Sequence, residues 1–387
     1  MNQYQYTVFV ISDKMLKNNL KDYMEAQDLI YDALDKFPDT IELPLKLVLA
    51  WKLMGDYKSA LTGLGTIMEG SSQYSVRETE KFLPFVTYYY ETLSYLSTKK
   101  TDIPNFNPDI FNLSQKIIDY YMALPFEDIP DEYMIPLKFI MSKYFYIEYH
   151  YPYMEFIQAV QNSSLEMLLD KELNLYYILV NNKKLYYWTH DKKLLKLLLD
   201  YHIMEQSPHS PHCYLTDTFH VSEGDIIMDV GAAEANFALE NIEKCEKAYI
   251  FEPESEWKYA LDNTFQPWSD KVELIQKFAG HFSDSETTTI DEVTGGKPVN
   301  FIKMDVEGAE LAALYGAEET IKNSPDLKIA VCTYHKQEDA QEISKFLVEH
   351  GFSIEYSDGY MLFVLNDDFE PPFFRKGLIR ATKKHNR

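Results

Sequence analysis

The sequence predicts an α/β domain on a mostly parallel sheet, preceded by an all-α segment. Three observations carry this. From Gly224 onward, short apolar runs alternate with helical patterns, as in a sheet covered on both faces. Up to residue 172 the patterns are helical, and two units repeat 34 residues apart. Between the two regions, LNLYYILVNNKKLYYW changes to β-branched and aromatic runs flanking NNKK, a hairpin signal. The expected divisions are residues 1–172 (helical), 173–370 (α/β) and 371–387 (a basic tail).

In the helical segment, KDYMEAQDLIYDAL and GDYKSALTGLGTIM align Asp22-Tyr23 with Asp56-Tyr57 and Ala26 with Ala60. That is the period of tetratricopeptide-type helix pairs, whose small alanines let helices approach closely. Such modules bind partners or self-associate; a generic helical hairpin is the alternative. Residues 80 to 170 continue the helical patterns, punctuated by prolines at 104, 108, 125, 130 and 136. Their many tyrosines suit helix–helix contacts more than a sugar-binding groove. DKKLLKLLLDYHIMEQ follows the hairpin with leucines at helical spacing, and Asp191 or Thr189 serves as N-cap.

In the α/β segment, DIIMDVG, KAYIFEPE, KVELIQKFAG, VNFIKMDVEG and LKIAVCTYH read as strands. ANFALENIEKCE, SEWKYALDNTF, AELAALYGAEETIKN and KQEDAQEISKFLVEHG read as helices. FSIEYSD and YMLFVLND, joined at Asp358-Gly359, read as a closing antiparallel hairpin.

Composition bounds the function. Of 387 residues, 46% are hydrophobic and 25% charged, as in soluble globular proteins. No apolar run spans a bilayer, and no signal peptide is read. Cys213, Cys245 and Cys332 form neither a disulfide framework nor a zinc knuckle, which points to a cytoplasmic location. The formal charge of −24 argues against nucleic acid as partner. The tail PPFFRKGLIRATKKHNR holds six Lys/Arg and no acid, and is read as a solvated end against an acidic body.

Ligands of such sheets bind beyond the carboxyl ends of strands. Those ends carry Asp229 and Gly231, then Glu252, then Asp305 and Glu307, then Tyr334 and His335. Glu252 lies 21 residues after Gly231, where a carboxylate accepts from two ribose hydroxyls. A nicotinamide dinucleotide needs GxGxxG for its pyrophosphate. Here the turn is GAAEAN, with one glycine and an acid, Glu234. A ribose-bearing cofactor with a positive centre and no phosphate fits, and S-adenosylmethionine is that molecule. Asp229 and Glu234 suit its ammonium or sulfonium end.

DVGAAEANFAL, YIFEPE, TTTIDEV, FIKMDVEGAELAALYGAEETI and CTYHKQEDAQEI resemble the FkbM family of S-adenosylmethionine-dependent O-methyltransferases, over roughly residues 175 to 365. The resemblance implies a class I methyltransferase sheet, Rossmann-like, mostly parallel and seven-stranded. It also implies a hydroxyl acceptor, such as a sugar of a glycan or a related natural product. By position, Asp229, Gly231, Ala232, Glu234, Asn236, Phe251, Glu252 and Pro253 would form the cofactor site. Asp305, Glu307 and His335 would face the acceptor. Ala235 departs from the family, which usually has glycine there. Alanine fits at negative φ, whereas positive φ costs about 1 kcal/mol or more.

Within this reading His335 is the first candidate for the base that takes the hydroxyl proton, with Asp305 or Glu307 sharing or orienting it. His212 and Lys303 are acceptor-side candidates, Lys303 alternatively snorkelling from a strand edge. Asp291 matches a family position without an assigned role. Glu310 is assigned only to a helix start. No metal is predicted from Asp305, Glu307 and His335. The competing class is a non-catalytic helical adaptor with a degenerate methyltransferase-like domain.

Overall fold

The computed structural model describes residues 1–70, 74, 76–98, 107–142, 151–364 and 369–383. The chain forms two compact units, Met1–Tyr153 and Met154–Arg387.

The first unit is helical: α1 (Gln3–Leu16), α2 (Leu20–Leu34), α3 (Glu42–Leu53), α4 (Tyr57–Glu69), α5 (Val76–Thr98), α6 (Pro108–Ala123) and α7 (Met134–Ile140). From α1 to α5 each helix packs on the next. Ala26 of α2 and Ala60 of α4 are both fully buried. The helix starts are not equivalent. Asp56 caps α4 by accepting from Ser59 N, whereas Asn19 caps α2 and Asp22 lies within its first turn. Beneath these helices, Lys46 is buried and donates to the carbonyls of Met122, Ala123 and Leu124, which end α6. Burial pushes its ammonium down to about 8, against the pull of Glu42.

The second unit opens with α8 (Met154–Asn162) and a three-stranded sheet, β1 (Leu168–Asp170), β2 (Leu175–Val180) and β3 (Lys183–Tyr187). The unit boundary therefore precedes the expected residue 172, because α8 packs on α9 (Lys192–Glu205). Asn181 and Asn182 both have positive φ, which joins β2 and β3 by a two-residue turn. Lys183 and Lys184 belong to β3. Asp191 caps α9 through Lys193 N and Leu194 N.

The main sheet comprises β4 (Ile226–Val230), β5 (Lys247–Phe251), β6 (Val272–Ile275), β9 (Phe301–Met304), β10 (Lys328–Cys332), β11 (Phe352–Tyr356) and β12 (Leu378–Lys383). Its order is β11-β12-β10-β9-β4-β5-β6, parallel except for the pairings of β12. This is the seven-stranded, mostly parallel sheet that the family resemblance implies. The short pair β7 (Phe278–Ala279) and β8 (Thr287–Thr288) stands apart. The connecting helices are α10 (Asn236–Asn241), α11 (Lys258–Phe265), α12 (Ile290–Thr294), α13 (Glu310–Tyr315), α14 (Glu318–Asn323) and α15 (Asp339–Glu349). One core beneath the sheet joins Met228, Val230, Phe251, Ile302, Met304, Ile329, Val331, Leu347 and Ile379.

Three expectations need correction. Among the described residues the closing hairpin is absent: β11 pairs instead with Leu378–Lys383, and Met361 makes a single bridge to Arg375. Residues 365–368 of YMLFVLND lie outside the described residues. Among the described residues of the basic tail, Leu378–Lys383 form a strand of the main sheet rather than a solvated end. Leu378, Ile379 and Ala381 are fully buried between β10 and β11, and burying them outweighs solvating the flanking cations. Lastly, AELAALYGAEETIKN forms two helices. Gly316 separates them, and a Cβ there would lie 2.0 Å from Gly280 O.

Candidate active site

Two strand ends build the site. The register pairs Asp229 of β4 with Lys303 of β9, and the next turn brings Gly231 against Asp305. Gly231 has φ +74°, and a Cβ there would meet Asp305 O at 1.8 Å. The glycine is required by the neighbouring strand end, and it places the turn 231–235 directly beside Asp305.

On the turn side, Asp229 is fully buried. Its Oδ1 lies 3.0 Å from Lys303 Nζ, and its Oδ2 accepts from Ala238 N at 3.1 Å. That amide lies in the first turn of α10, whose N-cap Ala235 has no side chain to offer. Ala235 has φ +61° and ψ +45°, the left-handed conformation in which alanine is strained. Lys303 also donates to Gly231 O. It is buried in a central strand, so snorkelling from an edge is excluded, and its partners are the turn and Asp229. Burial opposes its charge, but Asp229 and Asp305 hold its ammonium above the usual range. Burial raises the Asp229 carboxyl, against Lys303 and the Ala238 amide.

Glu252 closes the turn from the end of β5. Its Oε2 accepts from Ala233 N at 2.7 Å and its Oε1 from Glu254 N at 3.0 Å. A carboxylate offers roughly four acceptor positions, so two remain for a vicinal diol. Glu234 is partly exposed on the turn, and burial followed by the Glu205 charge raises its carboxyl to about 8. Tyr187 feels both Glu234 and Glu205. Its buried hydroxyl and the buried amide nitrogen of Gln206 have no hydrogen-bond partner among the described residues. Two acids, unpaired buried polar atoms and a pre-oriented diol acceptor fit a cationic nucleoside cofactor.

Of the other residues named for this side, Ala232 donates its amide to Phe251 O at 2.9 Å. The Phe251 ring lies in the core and only its backbone reaches the turn. Asn236 is buried with its amide 3.5 Å from His202 Nδ1. Pro253 is partly exposed beside Glu252.

On the other side stands a chain of alternating acids and imidazoles. Glu310 Oε1 lies 2.9 Å from His335 Nδ1, and His335 Nε2 lies 3.5 Å from Asp305 Oδ1. Asp305 Oδ2 lies 3.0 Å from His212 Nε2 and accepts from Tyr214 Oη at 3.3 Å. Tyr334 Oη donates to Asp305 Oδ1 at 3.4 Å. Burial alone would raise the Asp305 carboxyl. His212, His335 and Lys303 together overcome that and hold it far below the usual carboxylate range. Burial lowers His335, but Glu310 and Asp305 outweigh it and the imidazole is held above its ordinary value.

His335, Asp305 and His212 therefore come together as expected, and Glu307 does not. It is exposed, at φ +52°, on the turn beyond β9. Glu310, assigned only to a helix start, is fully buried and takes the place beside His335. Asp291 proves to cap α14, accepting from Thr320 N at 2.7 Å and Glu319 N at 3.0 Å.

Residues 204–354 match the methyltransferase FkbM domain. That domain implies S-adenosylmethionine as cofactor. Among solved structures, the chain is similar to precorrin-6y C5,15-methyltransferase from Geobacter metallireducens GS-15 (12% identity, 42% of this chain and 82% of that chain, TM-score 0.32). It is also similar to magnesium protoporphyrin IX methyltransferase from Synechocystis PCC 6803, solved with bound SAM (10% identity, 42% of this chain and 71% of that chain, TM-score 0.30). No curated protein matches the chain. All the acids and histidines of both strand ends lie within the FkbM domain.

Two supporting residues lie beyond it. Arg375 Nη1 donates to Tyr334 O at 3.0 Å and His335 O at 2.6 Å. Arg380 of β12 donates to Tyr214 O at 3.2 Å and Cys213 O at 2.6 Å. The arginines of the supposed tail thus position the backbone under His335 and Tyr214. The apolar residues Leu378, Ile379 and Ala381 were the available signal, obscured by the basic residues around them.

Proposed function

We propose that this FkbM domain transfers the methyl group of S-adenosylmethionine to a hydroxyl oxygen, with a sugar of a glycan or a related natural product as acceptor. The observation that carries this is the contact of Gly231 with Asp305, which gives the cofactor turn and the acid–imidazole chain a common wall. The acceptor class rests on the resemblance of the FEP and DVEGAE motifs. The cytoplasmic setting rests on three unpaired cysteines.

S-adenosylmethionine supplies an electrophilic methyl carbon on a sulfonium. Glu252 holds the ribose diol, and Glu234 and Glu205 supply negative charge to the cationic end. Asp305 is the partly exposed member of its chain and stays ionised, so its charge stands at the opening, 3.5 Å from His335 Nε2. As the new O–C bond forms and the S–C bond breaks, the hydroxyl proton passes to His335, whose positive charge Glu310 and Asp305 stabilise.

Calorimetric titration with S-adenosylmethionine, followed by transfer of its labelled methyl to a panel of sugar hydroxyls, tests the reading. Micromolar binding that Glu252→Ala abolishes, with label on oxygen, is the expected result. No binding by a folded wild type contradicts it. The left-handed Ala235 favours one second reading, a helical adaptor with a degenerate domain. Binding that appears only in Ala235→Gly would decide for that reading.

A further inference from the structure

Three donor atoms of different chemistry converge where β9 and β10 end. The register sets Val331 beside Met304, so Cys332 stands next to Asp305. His212 Nε2 lies 3.0 Å from Asp305 Oδ2 and 3.6 Å from Cys332 Sγ. One donor atom from each of the three residues fits within 4.8 Å of the others. Tetrahedral zinc, with bonds of about 2.0 Å to nitrogen or oxygen and about 2.3 Å to sulfur, sets nitrogen and oxygen ligands roughly 3.3 Å apart and nitrogen and sulfur roughly 3.5 Å apart. The observed separations agree within a few tenths of an ångström.

The surroundings match as well. A metal-bound imidazole commonly turns its other nitrogen to a carboxylate. His212 Nδ1 faces Glu205 Oε2 at 4.0 Å. His212 and Cys332 are buried, while the Asp305 side chain is 17% exposed and opens one side. Asp305, Glu310 and His335 form another close group. There the donors are two carboxylates and an imidazole, without a thiolate, and Glu310 Oε1 also accepts from Val306 N at 3.0 Å.

We propose that His212, Asp305 and Cys332 bind one zinc-class divalent cation and leave its fourth position open on the Asp305 side. The cation site stands on its own geometry. Its role rests on the methyl-transfer reading: the acceptor hydroxyl takes the fourth position, its pKa falls, and its proton leaves more readily to His335.

The test is to strip the full chain with a chelator and titrate it with cobalt(II), reading visible and near-ultraviolet absorption. One equivalent of cobalt should give tetrahedral d–d bands and a thiolate-to-cobalt charge-transfer band, both removed by added zinc. Cys332→Ser should abolish the charge-transfer band, and His212→Ala should weaken binding about tenfold or more. Cys213→Ser should change neither. Circular dichroism establishes folding, and if His212→Ala does not fold, Cys332→Ser decides alone. No cobalt spectrum in folded wild type overturns the site. So does a charge-transfer band that survives Cys332→Ser. A spectrum without thiolate character that Glu310→Gln removes also overturns it, since the ion would then sit on the other group. S-adenosylmethionine titrated in parallel keeps the readings apart. Cofactor binding without cobalt binding refutes only the cation site, and cobalt binding without cofactor binding refutes only the methyl-transfer reading.

Discussion

Asp229 and Asp305 end adjacent parallel strands, and each opens a similar sequence, DVG and DVEG. Their carboxyls are driven in opposite directions. Asp229 is fully buried with one cation, Lys303, and burial raises its carboxyl. Asp305 lies one residue beyond its strand, is partly exposed, and meets two imidazoles, two phenols and the same lysine. The first acid holds the loop together. The second is kept ionised at an opening, where a ligand can use it. Two residues of position along the paired strands separate a scaffold carboxylate from a reactive one.

The largest expected effect comes from Asp305→Asn. Methyl transfer should fall about 10²- to 10⁴-fold with cofactor affinity little changed, as separate kinetic and calorimetric measurements would show. Equal loss of both would erase the distinction between the two acids. Asp229→Asn should act on the scaffold instead. It leaves Lys303 charged and buried without its partner, so urea unfolding should show a loss of about 3–5 kcal/mol.

Smaller effects sharpen the comparison. His335 must lose its proton to act as base, and its pKa is raised, so the rate should climb with pH above 6.5. Glu310→Gln removes one stabilising acid and should move that limb to lower pH in a pH–rate profile. Glu234, raised to about 8, is mostly protonated at pH 7 in the free protein. A cationic cofactor favours its ionised form, so affinity should rise as pH approaches 8 and binding at pH 7 should release a proton. Calorimetry in buffers of different ionisation enthalpy reads that proton, and Glu234→Gln should abolish it. The smallest change is Ala235→Gly, expected to gain about 1 kcal/mol in urea unfolding by relieving the left-handed alanine.

Much of this was legible before the fold was seen. The alternation after Gly224 located β4, β5, β9 and β10, since buried parallel strands are continuous apolar runs. The acids at their ends were legible because few structural reasons place Asp at the end of an apolar strand. Glu310 was missed because an acid in a first helical turn already has a sufficient local explanation in the helix dipole. Its partner His335 is 25 residues away, a separation no local pattern spans. The C-terminal strand was missed because the six basic residues from Pro371 onward read as solvated, although Leu378, Ile379 and Ala381 mark an apolar stretch among them.

The sequence by itself determined the strand–helix order, the one-glycine turn with its acid at Glu252, and the choice of a cationic nucleoside over a dinucleotide. These follow from side-chain periodicity and local charge, which act over a few residues. Only the tertiary structure decided which acids and histidines meet. It set Lys303 on Asp229, Glu310 behind His335, Cys332 beside His212, and Arg375 and Arg380 of the C-terminal segment under the site. Each of those pairings crosses from one strand end to another element. Strand order and register across the sheet set them, over separations that no local pattern spans.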